Sequence, residues 1–169
     1  IEAGGGFVGL HSVIGPERNW DWFKKMLGGS FSWHPAFQKY PVRVIDSNHP
    51  SMEGVPPVWE RNDECYFVKE MYAGIRPLMA HDLTTLDKKD SVRIKESSGP
   101  YASLYPAAWY QKFDGGTIWI SALGHDKNDY SDETFMKHVF NGMRWVASTV
   151  KKPDYSKAYA TSRDQALVK

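Results

Sequence analysis

Disulfide stapling is excluded at once, because the chain carries one cysteine, Cys65, and a lone cysteine has no internal partner. Long apolar runs are missing too. No stretch approaches the ~20 residues that a spanning helix needs, so no membrane partner is expected. Neither sign of charge is in excess, with 21 basic against 20 acidic residues and a formal net charge of +1. That balance projects little long-range field and offers nothing to a nucleic acid or an anionic membrane surface. Internal repeats are absent. So are an initiating methionine and a signal peptide: the chain opens Ile1-Glu2-Ala3, which fits a processed or shortened terminus and leaves cytoplasmic and secreted or periplasmic settings both open.

What is present is globular. The 169 residues are 41% hydrophobic and 24% charged, enough to bury a core in one ordinary domain. Aromatics reach 14%, with 7 Trp and 9 Tyr. Their flat apolar faces and polar edges suit cores and sugar-binding clefts alike.

Local patterning predicts an α/β domain. Ile1 to Gly6 reads as a last helical turn with a glycine stop, and Phe7 to Leu10 as a central strand covered on both faces, ending at His11. Trp20, Phe23, Met26 and Leu27 recur at helical spacing before Gly28-Gly29. Phe31 to Tyr40 reads as an aromatic loop. Strands are expected at Val42 to Asp46, Glu64 to Val68 and Ile75 to Ala80, where Pro77 argues for an edge. Thr84 to Gly99 is polar and weakly patterned and reads as an excursion with a short strand at Val92 to Ile94. A hairpin is expected from Ala107 to Leu123 around Asp114-Gly115-Gly116. A final helix begins near Ser131, with Phe135, Val139, Phe140, Met143 and Val146 as its apolar stripe and His138 at the surface. Residues 151–169 form a polar tail. Helices on a largely parallel sheet with an added β-hairpin is the architecture this mixture suggests.

Several segments carry a more specific signal: AGGGFVGLHS from Ala3 to Ser12, His34-Pro35, His49-Pro50, Asp63-Glu64, PAAWYQKFDGGTIWISALGHD from Pro106 to Asp126, and GMRW from Gly142 to Trp145. In this order they resemble the ThuA-like (trehalose utilisation) family. The resemblance implies a flavodoxin-like, class I glutamine-amidotransferase-like fold, with residues 1–150 as the C-terminal part of the domain. A whole family domain would have about half a domain more upstream, so the sheet is expected to be N-terminally incomplete. Its open edge would then pair with the missing segment or with a second copy in a homo-oligomer.

The resemblance also places the chemistry. In glutamine amidotransferases the elbow after the comparable strand bears a cysteine nucleophile; here His11 stands there, with Ser12 beside it. Cysteine-dependent amide hydrolysis therefore loses its agent, and Cys65, in an apolar run, reads as a small buried hydrophobe. His125, in LGHD, resembles the amidotransferase triad histidine. Histidine exchanges protons near neutral pH, so His11, His125 and an acid, Glu64, are the expected catalytic group. Adjacent residues of a strand face opposite ways, so Asp63 is expected to bind backbone N–H groups beside a ligand site shared with Ser12, His34, Trp33 and Trp109. Pro35 and Pro50 restrain the histidines before them. No HExxH and no close Cys/His cluster is present, so no metal is assigned from spacing; a site gathered from His11, His34, His125 and Glu64 across the chain is the remaining route, and the cofactor is left open. The Gly4-Gly5-Gly6 run lacks the lysine of a phosphate loop.

Two functions follow. One is a carbohydrate-processing enzyme acting on trehalose or a related disaccharide, or an oxidised derivative, as hydrolase or isomerase. The other is a non-catalytic carbohydrate-binding or accessory domain.

Overall fold

The computed structural model describes residues 1–157; residues 158–169, the greater part of the expected tail, lie outside the described residues. Eight strands and three α-helices follow in chain order: β1 (Gly6–Leu10), α1 (Asp21–Leu27), β2 (Ser30–Trp33), β3 (Gln38–Val44), β4 (Val58–Asp63), β5 (Phe67–Lys69), β6 (Arg76–Asp82), α2 (Ser91–Ser98), β7 (Leu104–Phe113), β8 (Gly116–Ser121) and α3 (Glu133–Thr149). No helix among the described residues is long and apolar enough to cross a membrane.

Six strands make one sheet in the order β1-β8-β7-β6-β3-β4, and β2 pairs with β5 in a separate ribbon. Only β1 and β8 run parallel. The other four pairings are antiparallel, which overturns the largely parallel, flavodoxin-like sheet expected from the sequence. The connections give the reason. A parallel pair needs a long crossover, whereas antiparallel neighbours are joined by short ones. Here β7 turns into β8 through Asp114 and Gly115, both at positive φ (46° and 85°), as a tight hairpin demands. Helix α1 leads not to a neighbouring parallel strand but into the β2–β5 ribbon.

Other expectations change with the sheet. β1 stands at an end of the strand order, not the centre. β6 is internal, and Pro77 is accommodated by a register shift between Pro77 and Met79, the kind of bulge that excuses a missing N–H. The segment expected to hold a short strand at Val92 to Ile94 is helix α2. Trp33 belongs to strand β2, not to a loop.

Helices cover both faces. Along β8, Ile118 and Ile120 join the α1-side core with Trp109, Met26 and Leu27. Trp119 points the other way, into the core shared with Phe135, Val139 and Val146 of α3. This alternation is the period of two expected of a strand buried on both faces. Asp132 caps α3 by accepting the Phe135 amide at 2.7 Å. The α3 stripe is narrower than expected: Phe140 and Met143 are exposed. His138, expected at the surface, is fully buried and shares a hydrogen bond with Ser121 Oγ at 3.0 Å.

Following the pairings along the sheet, β1, β8, β6 and β4 all point the same way. Their C-terminal ends therefore share one rim. β4 and β8 are far apart in strand order, yet Asp63 at the end of β4 accepts the Gly124 amide beyond the end of β8 at 2.9 Å. The sheet must curl to let them meet.

Candidate functional site

The rim assembles three chain segments: His11 after β1, Asp63-Glu64 at the end of β4, and Ala122 to His125 after β8. His11 sits at φ +43°, a left-handed conformation that costs a bulky residue about 1–3 kcal/mol and persists only where the surroundings impose it. The imposing contact is a hydrogen bond between His11 Nδ1 and the Ala122 carbonyl at 3.1 Å. A carbonyl only accepts, so Nδ1 carries the proton and Nε2 of the neutral ring presents its lone pair. Burial is the chief cause that lowers the His11 pKa, partly opposed by the Ala122 bond and by Asp63 and Glu64. The net shift favours the neutral ring.

His11 Nε2 faces three groups. Tyr66 Oη is 2.9 Å away, His125 Nδ1 3.2 Å and Glu64 Oε2 3.5 Å. Glu64 Oε2 is also 3.0 Å from His125 Nδ1, and its other oxygen is 3.4 Å from His34 Nε2. His34 Nδ1 donates to the Pro35 carbonyl at 2.8 Å, so its Nε2 too points at the carboxylate. The expected residues His11, His125, Glu64 and His34 thus converge. His11, Glu64 and His125 each offer one ligand atom, all within 4.8 Å of one another, and could hold a cation. His11 and Glu64 are buried while the His125 side chain is 47% exposed, so the centre opens to solvent beside His125.

Asp63 closes strand β4. Fully buried, it accepts the amides of Glu64 (2.9 Å), Gly124 (2.9 Å) and His125 (3.2 Å) and the Arg61 guanidinium (3.2 Å). Gly124 is needed there: its φ is +107°, and a Cβ would lie 2.7 Å from the Phe135 ring. Arg61 also bonds Asp129 at 2.6 Å and lies over the Trp59 ring at 4.4 Å.

The remaining expected ligand residues divide: Ser12 stays beside the cluster and the two tryptophans lie apart from it. Ser12 is exposed on the single turn that follows β1 and lowers the Tyr66 pKa through a hydrogen bond, against the larger upward push of burial. Trp33 stacks on Phe67 with centroids 5.0 Å apart, and Arg93 covers it at 4.1 Å. Trp109 is fully buried, with Nε1 bonded to the Leu27 carbonyl at 2.9 Å. Neither tryptophan is aimed at the histidine cluster. Its walls are Phe31, 4.5 Å from the Tyr66 ring, and the exposed Phe37, 5.6 Å from the His125 ring. Tyr66 and Arg61 escaped sequence reading. Tyr66 lies two residues beyond Glu64 in extended chain, the same-face spacing, and that was the available signal.

The family model described as ThuA, trehalose utilisation, matches residues 1–146. No curated protein matches the chain. The fold is similar to a ThuA-like protein from Bacteroides uniformis, at 24% identity and TM-score 0.66, over 91% of this chain and 63% of that one. A ThuA-like protein from Parabacteroides merdae matches at 19% identity and TM-score 0.64, over 88% of this chain and 62% of that one. Part of a cold-adapted beta-galactosidase from Rahnella sp. R3 is also similar, at 15% identity and TM-score 0.53, over 90% of this chain and 20% of that one. At such identities the likeness is one of fold. The chain spans about three fifths of the length of the two ThuA-like structures.

Proposed function

Because the chain belongs to the ThuA family of trehalose utilisation, whose model matches residues 1–146, we propose that it is a carbohydrate-processing enzyme whose reacting groups are His11, His125 and Glu64. The observation that carries this reading is the approach of His11 Nε2, His125 Nδ1 and Glu64 Oε2 to within 3.0–3.5 Å of one another at a solvent-opened rim. Neutral His11 is a proton acceptor, and half-exposed His125 is placed to return a proton from solvent. Glu64 orients the His125 ring through Nδ1, and the Ala122 carbonyl orients that of His11.

The arrangement favours proton transfer at carbon or oxygen over simple glycoside hydrolysis. A standard glycosidase flanks the scissile bond with two carboxyl groups. Here Glu64 is one, but Asp63 is saturated by three amides and Arg61. The substrate class that fits is a disaccharide of the trehalose type, or its keto derivative, in which a proton beside the carbonyl is removed and restored. Phe37, exposed beside His125, offers an apolar face for a sugar ring; the same feature supports the alternative of a non-catalytic carbohydrate-binding domain.

The test is incubation of the protein with trehalose and with its keto derivative in deuterated buffer, followed by NMR. Deuterium entering the carbon next to the ketone, and lost by about 100-fold or more in His11→Ala, supports the enzyme. Saturable binding without exchange or product supports the binding domain.

A further inference from the structure

The same three side chains have a second property, which rests on the reading that they form the site. We propose that His11 Nε2, His125 Nδ1 and Glu64 Oε2 are three corners of a tetrahedral site for a divalent cation of the zinc class.

The first argument is geometric. Zinc lies ~2.0–2.2 Å from nitrogen and carboxylate ligands, so two ligands at a tetrahedral angle are separated by about 3.3 Å. The three separations here are 3.0, 3.2 and 3.5 Å, one face of such a tetrahedron. Two imidazoles and one carboxylate also match the ligand preference of zinc-like ions and not of calcium or magnesium, which take oxygen.

The second argument is the ring orientation. A metal-bound imidazole usually donates its other N–H to a carbonyl or carboxylate, which fixes the tautomer. His11 Nδ1 does so to the Ala122 carbonyl. The carboxylate ligand has a neighbour of its own: His34, tied through Nδ1 to the Pro35 carbonyl, places Nε2 3.4 Å from the second oxygen of Glu64, to which it donates when the ring carries both protons.

The third argument is charge. Glu64, Asp63 and Asp129 are all buried, and Arg61 is the only buried cation beside them among the described residues. Arg61 is shared by Asp63 and Asp129, one cation for two carboxylates, and Glu64 has no Arg or Lys partner among the described residues, an arrangement that is costly in a poorly solvated region unless neutralised. A divalent ion at the three-atom face supplies that charge. The fourth corner would open past His125 toward solvent, with Tyr66 Oη beside it, as a zinc site that binds water or substrate requires.

The experiment uses the whole chain, stripped with a chelator and titrated with Zn2+ in a calorimeter and with Co2+ by visible absorption. The expected result is one ion per chain with the intense bands of tetrahedral cobalt. Affinity should fall at least 100-fold in Glu64→Gln and His125→Gln, and 10–100-fold in His34→Ala, an outer-shell change. Circular dichroism identifies a variant that fails to fold; for such a variant, anomalous scattering at the zinc edge from wild-type crystals decides, through the presence or absence of an ion on His11, His125 and Glu64. Absence of binding, a weak octahedral cobalt spectrum, or affinity indifferent to both substitutions overturns the proposal. Failure here is separable from failure of the carbohydrate reading. Deuterium exchange that persists in the stripped protein leaves the enzyme standing without the ion, whereas tight tetrahedral binding with no action on either sugar leaves the ion standing without that substrate.

Discussion

Asp63 holds His125 by its main chain and leaves the ring free. The carboxylate accepts the His125 amide at 3.2 Å, while the imidazole Nδ1 turns to Glu64 at 3.0 Å. Asp63 also binds the amide of Glu64 itself at 2.9 Å. One buried carboxylate therefore sets the relative position of two site residues without touching either side chain.

Asp63→Asn removes the charge that faces Arg61 and replaces one acceptor oxygen by a donor aimed at amides. Breaking a buried pair costs about 3–5 kcal/mol, and the urea midpoint is expected to drop accordingly. A variant as stable as the wild type would show that the amide contacts contribute little.

Acid should destabilise the fold through two buried histidines. Burial holds the pKa of His138 at about 3 and that of His81 at about 4, against 6.5 for the free side chain. Below pH 6.5 the unfolded chain takes up protons that the folded chain refuses, so their stabilisation is complete above that pH and declines as pH falls toward 4. The slope is on the order of 1 kcal/mol per pH unit for each group. Urea unfolding from pH 7 to pH 5 should show this decline, and His138→Gln should make it shallower. Parallel curves for the two proteins would refute the assignment.

Gly142 of α3 lies against Trp119 so closely that an added Cβ would come within 2.6–2.7 Å of three indole atoms. Alanine gains about 1 kcal/mol in helix propensity, but overpacking costs about 1–3 kcal/mol. The tryptophan is fully buried and has little room to yield, so Gly142→Ala should lower Tm by several degrees. A raised Tm would mean that the helix shifts outward freely.

Trp109→Phe separates a core role from a ligand role. It deletes the bond to the Leu27 carbonyl and leaves that oxygen buried, at a cost of about 1–3 kcal/mol. Stability should fall while affinity for trehalose or its keto derivative is unchanged. Weaker sugar binding at unchanged stability would restore Trp109 as a ligand contact.

The site was more legible than the sheet. His11 and His125 each follow an apolar run, and strand ends are where α/β sheets present reactive groups; their meeting follows from the β1–β8 pairing. β4 was hidden because its inward residues include charges. Trp59, Arg61 and Asp63 face in while Val58, Glu60 and Asn62 face out, an inversion that makes the alternation unreadable by hydrophobicity. α2 was hidden for the opposite reason: Ile94 is its one buried apolar side chain, too little for a period. Strand direction depends on which strands neighbour one another, a long-range property that local patterning does not contain.

The bond from Asp63 to Gly124 joins positions 61 apart in sequence, and His11 meets His125 across 114. No local segment contains the centre. Contacts of such separation form late because closing long loops must precede them. The reactive cluster is therefore a product of the finished chain, and a fluctuation that frees only the outer strand β4 withdraws Glu64 and dismantles it while both hydrophobic clusters stay largely intact. Amide exchange at Gly124 and His125 would then follow the opening of that strand and not global unfolding.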